Sequence, residues 1–539
     1  MDEKIKKCIE SGRAVLGIEF GSTRIKAVLI NESGNPIAQG NHEWENRFEN
    51  GLWTYSEEDI RGGIRDAYAN LRKDVAHKYE TSIRTLAGIG ISGMMHGYMA
   101  FDKDDRLLVP FRTWRNTNTG EAARELSQLF NFNIPLRWSI SHLYQAVIDK
   151  EPHIEEIVFQ TTLAGYVHWK LTGEKGIGVG DASGMMPVDT NTGNYNRTMT
   201  DSFEELLQSK GISLKIRDLF PKILPAGSIA GKLTKEGAAF LDISGELLPG
   251  VPFCPPEGDA GTGMVATNAV RPRTGNVSAG TSSFSMIVLE NDLTRPYEEI
   301  DIVTTPDGKP VAMVHCNNCT SDINAWVSLM NESLKLFGID VSASQLYTRL
   351  FQYAMTGEAD AGGLLSYNFL SGEPIAGVME GRPLFVRDID DRFNLANFMR
   401  MNLYSALACL KIGNDLLFNN ENVKVDKITG HGGFFKTPEV GQRILAAALN
   451  SPISVMETAG EGGAWGMALL ADFMVRKDAG GKNDPHWNLS LPEFLDKEIF
   501  SNVVADVKNP DPNDVEGFNK FIDKYKKGLP IEKTAVATI

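Results

Sequence analysis

The stretch VLGIEFGSTRIKAVLI, Val15 to Ile30, is two apolar runs joined by a short polar turn. Leu16, Ile18 and Phe20 alternate with their neighbours, and so do Ile25, Ala27 and Leu29. That is the period of two strands. Gly21 permits a tight reversal, and Ser22 and Thr23 bring hydroxyls and backbone N–H groups to it. The stretch NESGNP, Asn31 to Pro36, carries the residues of a second reversal. The local expectation is a β-meander whose first turn presents amides. Clustered N–H groups bind anions without a full positive charge, so the turn is a candidate phosphate cradle. Taken alone it reads first as an ordinary hairpin turn, since Gly-Ser-Thr turns are common.

A second stretch repeats the device. GNVSAGTSSFSMIVLEND, from Gly275, is again a β-like run, a Gly-Thr-Ser turn, another run and an Asn-Asp turn. Gly17–Leu29 and Asn276–Leu289 each lie near the start of one half of the chain. A duplicated hairpin implies two similar domains, each offering a phosphate turn to a shared cleft.

Length and composition agree with that division. A chain of 539 residues is long enough for two domains with sizeable cores. With 42% hydrophobic and 23% charged residues it has the balance of a soluble globular enzyme. A net charge of −15 argues against nucleic acid or an anionic membrane as partner. No apolar run is long enough to span a bilayer, and MDEKIKKCIESG lacks the apolar core of a signal peptide and reads as a short surface helix. Five cysteines do not make a disulfide framework, so the reducing cytoplasm is the expected compartment.

Between the hairpins lies PGVPFCPPEGDAGTGMVATNAV, from Pro249. Glycines around Asp259 let backbone and ligand come close. If a hydroxyl attacks a γ-phosphate, such a carboxylate can accept its proton. A turn aspartate is the plain alternative. A third glycine cluster, ITGHGGFFKTPEVGQRILAAALNSPI from Ile428, follows a strand expected over Val423–Thr429. A flat base or ribose could lie against its Gly432-Gly433 step. Val440, Ile444, Leu445 and Ala448 then recur at helical spacing. A fourth cluster, AGEGGAWGMALLADFM from Ala459, opens a helix whose small residues serve close packing at least as well as ligand binding. Helical periodicity returns at Val515–Lys527, and the tail beyond Pro530 is expected to fray.

As an ordered set these motifs resemble the FGGY carbohydrate kinases of the actin-like ATPase superfamily, over roughly Val15 to Met474. GIEFGSTRIKAVL is similar to the first phosphate motif, and SAGTSSF to the second. GISGMMHGYMAFD, from Gly90, resembles the sugar-site strand of xylulokinases. The segment from Leu171 containing Asp181-Ala182-Ser183-Gly184 resembles one that reads the sugar. EGDAGTG matches the catalytic-base loop, ITGHGG the adenosine motif, SGEP from Ser371 a C-terminal-domain motif, and WTYSEEDI from Trp53 an early acidic loop.

The resemblance implies an α/β protein of two ribonuclease-H-like domains around a deep cleft. Residues 14–267 would bind sugar and supply the base, and residues 268–530 would bind ATP. Asp259 would be the general base. Met95, His96, Trp114, Asn116 and Asp181 would meet the sugar. Gly21, Ser22, Thr23 and Lys26 would meet the transferred phosphoryl group, and Gly280, Thr281 and Ser282 the nucleotide phosphates. Gly432 and Gly433 would flank the adenosine. Glu19 would hold Mg²⁺ through water. The expected reaction is phosphorylation of a sugar hydroxyl, with a ketopentose such as xylulose as first choice. Another pentulose, a polyol or a sugar acid is the alternative within the family. A non-catalytic nucleotide-switched protein on the same fold is the alternative outside it. Partners are the sugar or polyol and ATP, with a homodimer as the assembly to test.

The chain departs from the family at four places. Glu19 stands where the family has Asp. FRTWRNTNT gives Asn116 in place of a carboxylate. His142, in WSISHLY, takes the place of a signature lysine, and Pro374-Ile375-Ala376 follows Ser-Gly-Glu in place of Arg-Thr-Pro. Trp53 could stack on a sugar face or serve the core, and Met94, Met185 and Met186 could line an apolar wall or pack inside. CNNC, Cys316 to Cys319, has the spacing of half a zinc site or a redox pair. With no second cysteine pair it reads as buried free thiols.

Overall fold

The computed structural model describes residues 2–456, 462–479, 488–503 and 505–539. Contacts divide the chain into two compact units. The first comprises Met1–Arg271, Asp301–Val311 and Glu461–Asn502. The second comprises Pro272–Ile300, Ala312–Gly460 and Val503–Ile539.

The first unit is built on the opening meander. β1 (Val15–Phe20) and β2 (Arg24–Ile30) pair antiparallel, and β2 pairs antiparallel with β3 (Pro36–Glu43). On its other edge β1 runs parallel to β4 (Gly88–Gly93), which runs parallel to β5 (Pro252–Phe253). The short strands Gly231–Lys232 and Glu257–Gly258 complete a seven-stranded sheet.

Strand periodicity decides what each face meets. Leu16, Ile18 and Phe20 join one core with Ile60, Ile64, Ala67 and Leu71 of the helix Glu57–Tyr79. That helix starts on a capping box of Ser56 and Asp59, in the WTYSEEDI motif. Gly17 points the other way. A Cβ there would meet Ala464 O at 2.1 Å and Ala468 N at 2.4 Å, so the helix Gly462–Ala479 lies almost on the strand backbone. A Cβ on Gly466 would likewise meet Thr262 O at 2.0 Å. Small residues in the fourth glycine cluster therefore serve close packing. Its first three residues, 459–461, lie outside the described residues.

The second unit repeats the plan. β6 (Thr274–Ala279) pairs antiparallel with β7 (Ser283–Val288) and parallel with β9 (Lys427–His431), which pairs parallel with β10 (Ile453–Val455). With β8 (Pro310–Cys316) the order is β8-β7-β6-β9-β10. In the first unit it is β3-β2-β1-β4-β5, strand for strand the same. The repeat seen as two Gly-Ser/Thr turns is a repeat of whole sheets.

Two local expectations shift. The strand before the third glycine cluster covers Lys427–His431 rather than Val423–Thr429. Val423 instead donates its N–H to Leu417 O, closing off the preceding helix. The last helix runs Pro512–Thr538, straight through Pro530, with no frayed tail. Glu532 is fully buried there and accepts the Arg382 N–H at 2.7 Å, which ties the last turns to the unit. The N-terminal helix forms at Asp2–Glu10.

Candidate active site

Both turns are held from behind by their carbonyls. In the first, the Gly21 O accepts from the Trp44 indole at 2.7 Å, Ser22 O from the Tyr55 hydroxyl at 2.5 Å, and Thr23 O from the Trp44 N–H at 3.2 Å. The Trp114 indole donates to Ser22 Oγ at 3.1 Å. In the second, Gly280 O accepts from the Thr320 N–H and hydroxyl, at 3.0 and 2.7 Å. Thr281 O accepts the Cys319 N–H at 2.9 Å. Fixing the carbonyls on one side commits each peptide's N–H toward the other, the arrangement an anion needs.

That second set explains CNNC. Cys316 and Cys319 are buried free thiols, and burial pushes Cys319 up to about 12 and raises Cys316 well above the usual thiol range. Among the described residues no group of three or more His, Cys, Asp or Glu could hold a metal ion. The segment's contribution is its backbone, which braces the Gly280-Thr281-Ser282 turn. SGEP supports it in turn: Glu373 Oε2 accepts from both the N–H and the side-chain amide of Asn318, each at 3.2 Å.

Glu19 breaks the apolar pattern of β1 and takes Gly17's face. Its Oε2 accepts the Ala464 N–H at 3.1 Å. Lys26 lies directly opposite it in the hairpin register and is buried. Burial, and then the nearby Asp259 charge, push Glu19 up to about 7.

Asp259 is the first residue of the helix Asp259–Ala266, capped by Gly258. Its Oδ1 accepts the Met95 N–H at 3.1 Å and the Ala260 N–H at 3.0 Å. Burial raises it to about 6, against the pull of those N–H donors. Glycine is required before it: a Cβ on Gly258 would meet Met95 Cγ at 2.1 Å.

Met95 and His96 form the turn after β4. His96 has φ +68, a left-handed conformation unusual for a residue with a side chain, and Gly97 follows at +84. The His96 ring meets Gly184 O through Nδ1 at 3.1 Å. A carbonyl can only accept, so that nitrogen carries the proton. Gly184 leaves the room, since a Cβ there would meet Nδ1 at 2.7 Å. Asp181 belongs to the same segment, in the short helix Val179–Ser183. Thr162 Oγ1 donates to its Oδ2 at 2.6 Å, and its buried Oδ1 has no hydrogen-bond partner among the described residues. Burial is the main cause that raises it to about 7. Sequence reasoning missed the residue behind it, Glu257, which is fully enclosed and raised to about 8, chiefly by burial. The only signal was an acid two places before Asp259, and PPEGD reads as a loop.

Several predicted contacts take other duties. Asn116 is buried, its Oδ1 accepting the Trp53 N–H at 2.9 Å. Its Nδ2 donates to Trp53 O at 2.8 Å and Thr113 O at 3.0 Å. Both N–H groups of the amide are thus given to backbone carbonyls, and its oxygen holds the Trp53 N–H. One face of the Trp53 ring is covered by the Arg115 guanidinium, 4.0 Å from the ring centroid. Met94, Met185 and Met186 are buried. His142 is fully buried, kept neutral by a value pushed down to about 3 by burial and then by Arg112. Gly432 requires its freedom: φ is +101, and a Cβ would meet Ala279 O at 2.5 Å. Gly280 and Gly433 face open space.

Two sheets of one strand order, each with a braced Gly-Ser/Thr turn, and one with a carboxylate beside a Met-His-Gly turn, have the plan of a sugar kinase. The chain belongs to the FGGY family of carbohydrate kinases: the N-terminal domain model matches residues 14–265 and the C-terminal domain model 275–474. It is 25% identical to the xylulose kinase of Klebsiella pneumoniae over 295 residues, 52% of this chain and 56% of that one. That match spans little more than half of the relative's length. The xylulose kinase of Haemophilus influenzae is 22% identical over 87% of this chain and 95% of its own. The ligand-bound xylulose kinase structure from Lactobacillus acidophilus shares the fold at TM-score 0.77 and 18% identity, covering 98% of this chain and 99% of that chain. No helix among the described residues is long and apolar enough to cross a membrane.

Proposed function

We propose that this chain phosphorylates a hydroxyl of a polyhydroxy sugar with ATP, and that a ketopentose such as xylulose is the acceptor. The observation that carries the reading is the seat of Asp259, which is tied through Oδ1 to the Met95 N–H of the Met-His-Gly turn. Oδ2 then receives the proton of the acceptor hydroxyl as its oxygen attacks the γ-phosphorus and the bond to the β,γ-bridging oxygen breaks, releasing ADP. A value near 6 keeps the base ionised at neutral pH yet basic enough to accept. Met95, His96 and Asp181 orient the acceptor, Asp181 through its unpaired Oδ1. Trp114 acts through Ser22. Gly21 closes the turn with its N–H on Arg24 O, the N–H groups of Ser22 and Thr23 hold the phosphoryl group in transfer, and Lys26 adds positive charge close to the turn. Gly280, Thr281 and Ser282 cradle the nucleotide phosphates, and the open flank at Gly433, beside Gly432, takes the adenosine.

Glu19 fits Mg²⁺ by the chemistry of its donor: a hard carboxylate oxygen held in place by the Ala464 N–H. Mg²⁺ is held in nucleotide sites by one or two carboxylates together with water and phosphate oxygens. When bound it neutralises charge on the phosphates.

The test is ADP release from Mg-ATP with a panel of ketoses, aldoses, polyols and sugar acids. Stimulation by a ketopentose supports the reading in full. Stimulation only by a polyol or sugar acid replaces the acceptor. No stimulation on the whole panel, with ATP still bound, favours a nucleotide-switched binding protein.

A further inference from the structure

Glu257 is fully buried, and each of its hydrogen-bond partners among the described residues is a backbone N–H. Oε1 accepts from Gly180 at 3.2 Å and Oε2 from Asp181 at 2.9 Å, while the Gly258 N–H also donates to the carboxylate. Three N–H donors favour the ionised form, against the burial that raises the group to about 8. The glycines around it are shaped to admit it. A Cβ on Gly178 would meet Oε1 at 2.2 Å, and one on Gly180 would meet Oε2 at 2.5 Å. Glu257 therefore joins two loops far apart in sequence. One carries Asp181, whose Oδ1 is buried and unpaired, and the other carries Asp259. A carbon at the Cβ position of Gly258 would lie 3.4 Å from that same Oδ1, so the two loops meet at this oxygen.

From this we infer that Glu257 is a positioning residue for acceptor binding: its carboxylate fixes the Gly180–Asp181 backbone and thereby aims Asp181 Oδ1 at a substrate hydroxyl. The inference rests on the reading of Asp181 as an acceptor ligand. An unpaired acceptor oxygen is complemented by an O–H donor, which every candidate acceptor supplies. Thr162 holds one oxygen of Asp181, and Glu257 holds its main chain. Rotation and translation of the second oxygen are both restrained, and that preorganisation is what an acceptor hydroxyl needs.

The experiment is a double-mutant cycle in the full chain, using the best acceptor from the panel. Glu257→Gln keeps the size and replaces one acceptor oxygen by NH₂, which opposes a backbone N–H. The expected result is a rise of about tenfold in acceptor KM, with kcat and ATP KM within about threefold. In an Asp181→Asn background the same change adds less than about twofold, because its route is already broken. If Glu257→Gln fails to yield folded protein, Gly180→Ala displaces the carboxylate sterically and enters the same cycle. An equal effect in both backgrounds, or a loss of kcat and ATP affinity together, overturns the inference while leaving Asp181 as a ligand. Asp181→Asn with unchanged acceptor KM overturns the reading of Asp181 itself, and the inference with it.

Discussion

The Met95 N–H donates to Asp259 Oδ1 at 3.1 Å, joining residues 164 apart in sequence. The bond connects the turn after β4 to the first residue of the Asp259 helix. It anchors one oxygen of the carboxylate, which under the proposed reaction leaves the other for the proton. Burial of the proposed base sets function against stability.

Asp259 is raised from 3.8 to about 6 in the fold. For a raised carboxylate the stabilising contribution is fully present below the unfolded value. It is lost as pH rises through the folded value. The ligand-free protein therefore loses stability from this group between about pH 4 and pH 7. Asp259→Asn removes that loss, so its melting temperature should exceed the native one at pH 8, by about 1–3 kcal/mol of stability. The gap should shrink at pH 5. Thermal melts at the two pH values check this, and a gap independent of pH contradicts it.

The same value sets the acid limb of catalysis. kcat/KM for the acceptor should fall about tenfold for each pH unit below about 6, as the base becomes protonated. A rate profile from pH 5 to 8 measures it. A profile flat down to pH 5 would mean that Asp259 is not the group taking the proton.

Glycine substitutions separate ligand from fold in the second unit. Gly280 and Gly433 have no positive φ and nothing within 4 Å of an added Cβ. Gly280→Ala and Gly433→Ala should leave the melting temperature within about 1 °C and weaken ATP binding at least about fivefold, since the added methyl enters space reserved for the nucleotide. Gly432→Ala should instead destabilise by about 1–3 kcal/mol, with its strained φ and the Ala279 carbonyl in the way. Calorimetric titration with ATP beside thermal melts distinguishes the two behaviours.

Asn116→Asp tests the brace on Trp53. Restoring the family's carboxylate would set oxygen against the Trp53 and Thr113 carbonyls that Asn116 now donates to. The two carbonyls keep their backbone donors, the Thr113 N–H on Trp53 O and the Asn116 N–H on Thr113 O, so a loss of about 1–3 kcal/mol is expected from two lost amide hydrogen bonds and from carboxylate oxygen facing carbonyl oxygen. Denaturant unfolding measures it. A neutral outcome would put the amide back among candidate sugar contacts.

The duplicated hairpin was readable because three signals coincide in it: alternation, a glycine reversal and small hydroxyl residues. Both copies lie at equivalent places in sheets of the same strand order. Asp259 was readable for its glycines. Glu257 was not, because burial of a single acid leaves no periodic trace, and its partners at Gly180 and Asp181 are far off in sequence. The place of the helix Gly462–Ala479 against β1 was equally hidden, since it depends on a contact between Gly17 and Ala464 across most of the chain. Asn116 was read as a ligand because amides and carboxylates at such positions share a shape; the two backbone carbonyls that take its amide protons leave no trace in the sequence. The helix through Pro530 persisted against a local breaker because Glu532 is anchored by Arg382.

The most direct test of the account is acceptor-dependent ADP release by Asp259→Asn, measured beside its ATP affinity. The account predicts that turnover falls by about 10²–10⁴ while ATP binding stays within about threefold. Turnover above a tenth of the native rate, with ATP bound normally, would contradict it, for the proton would then be leaving by a route that does not involve Asp259.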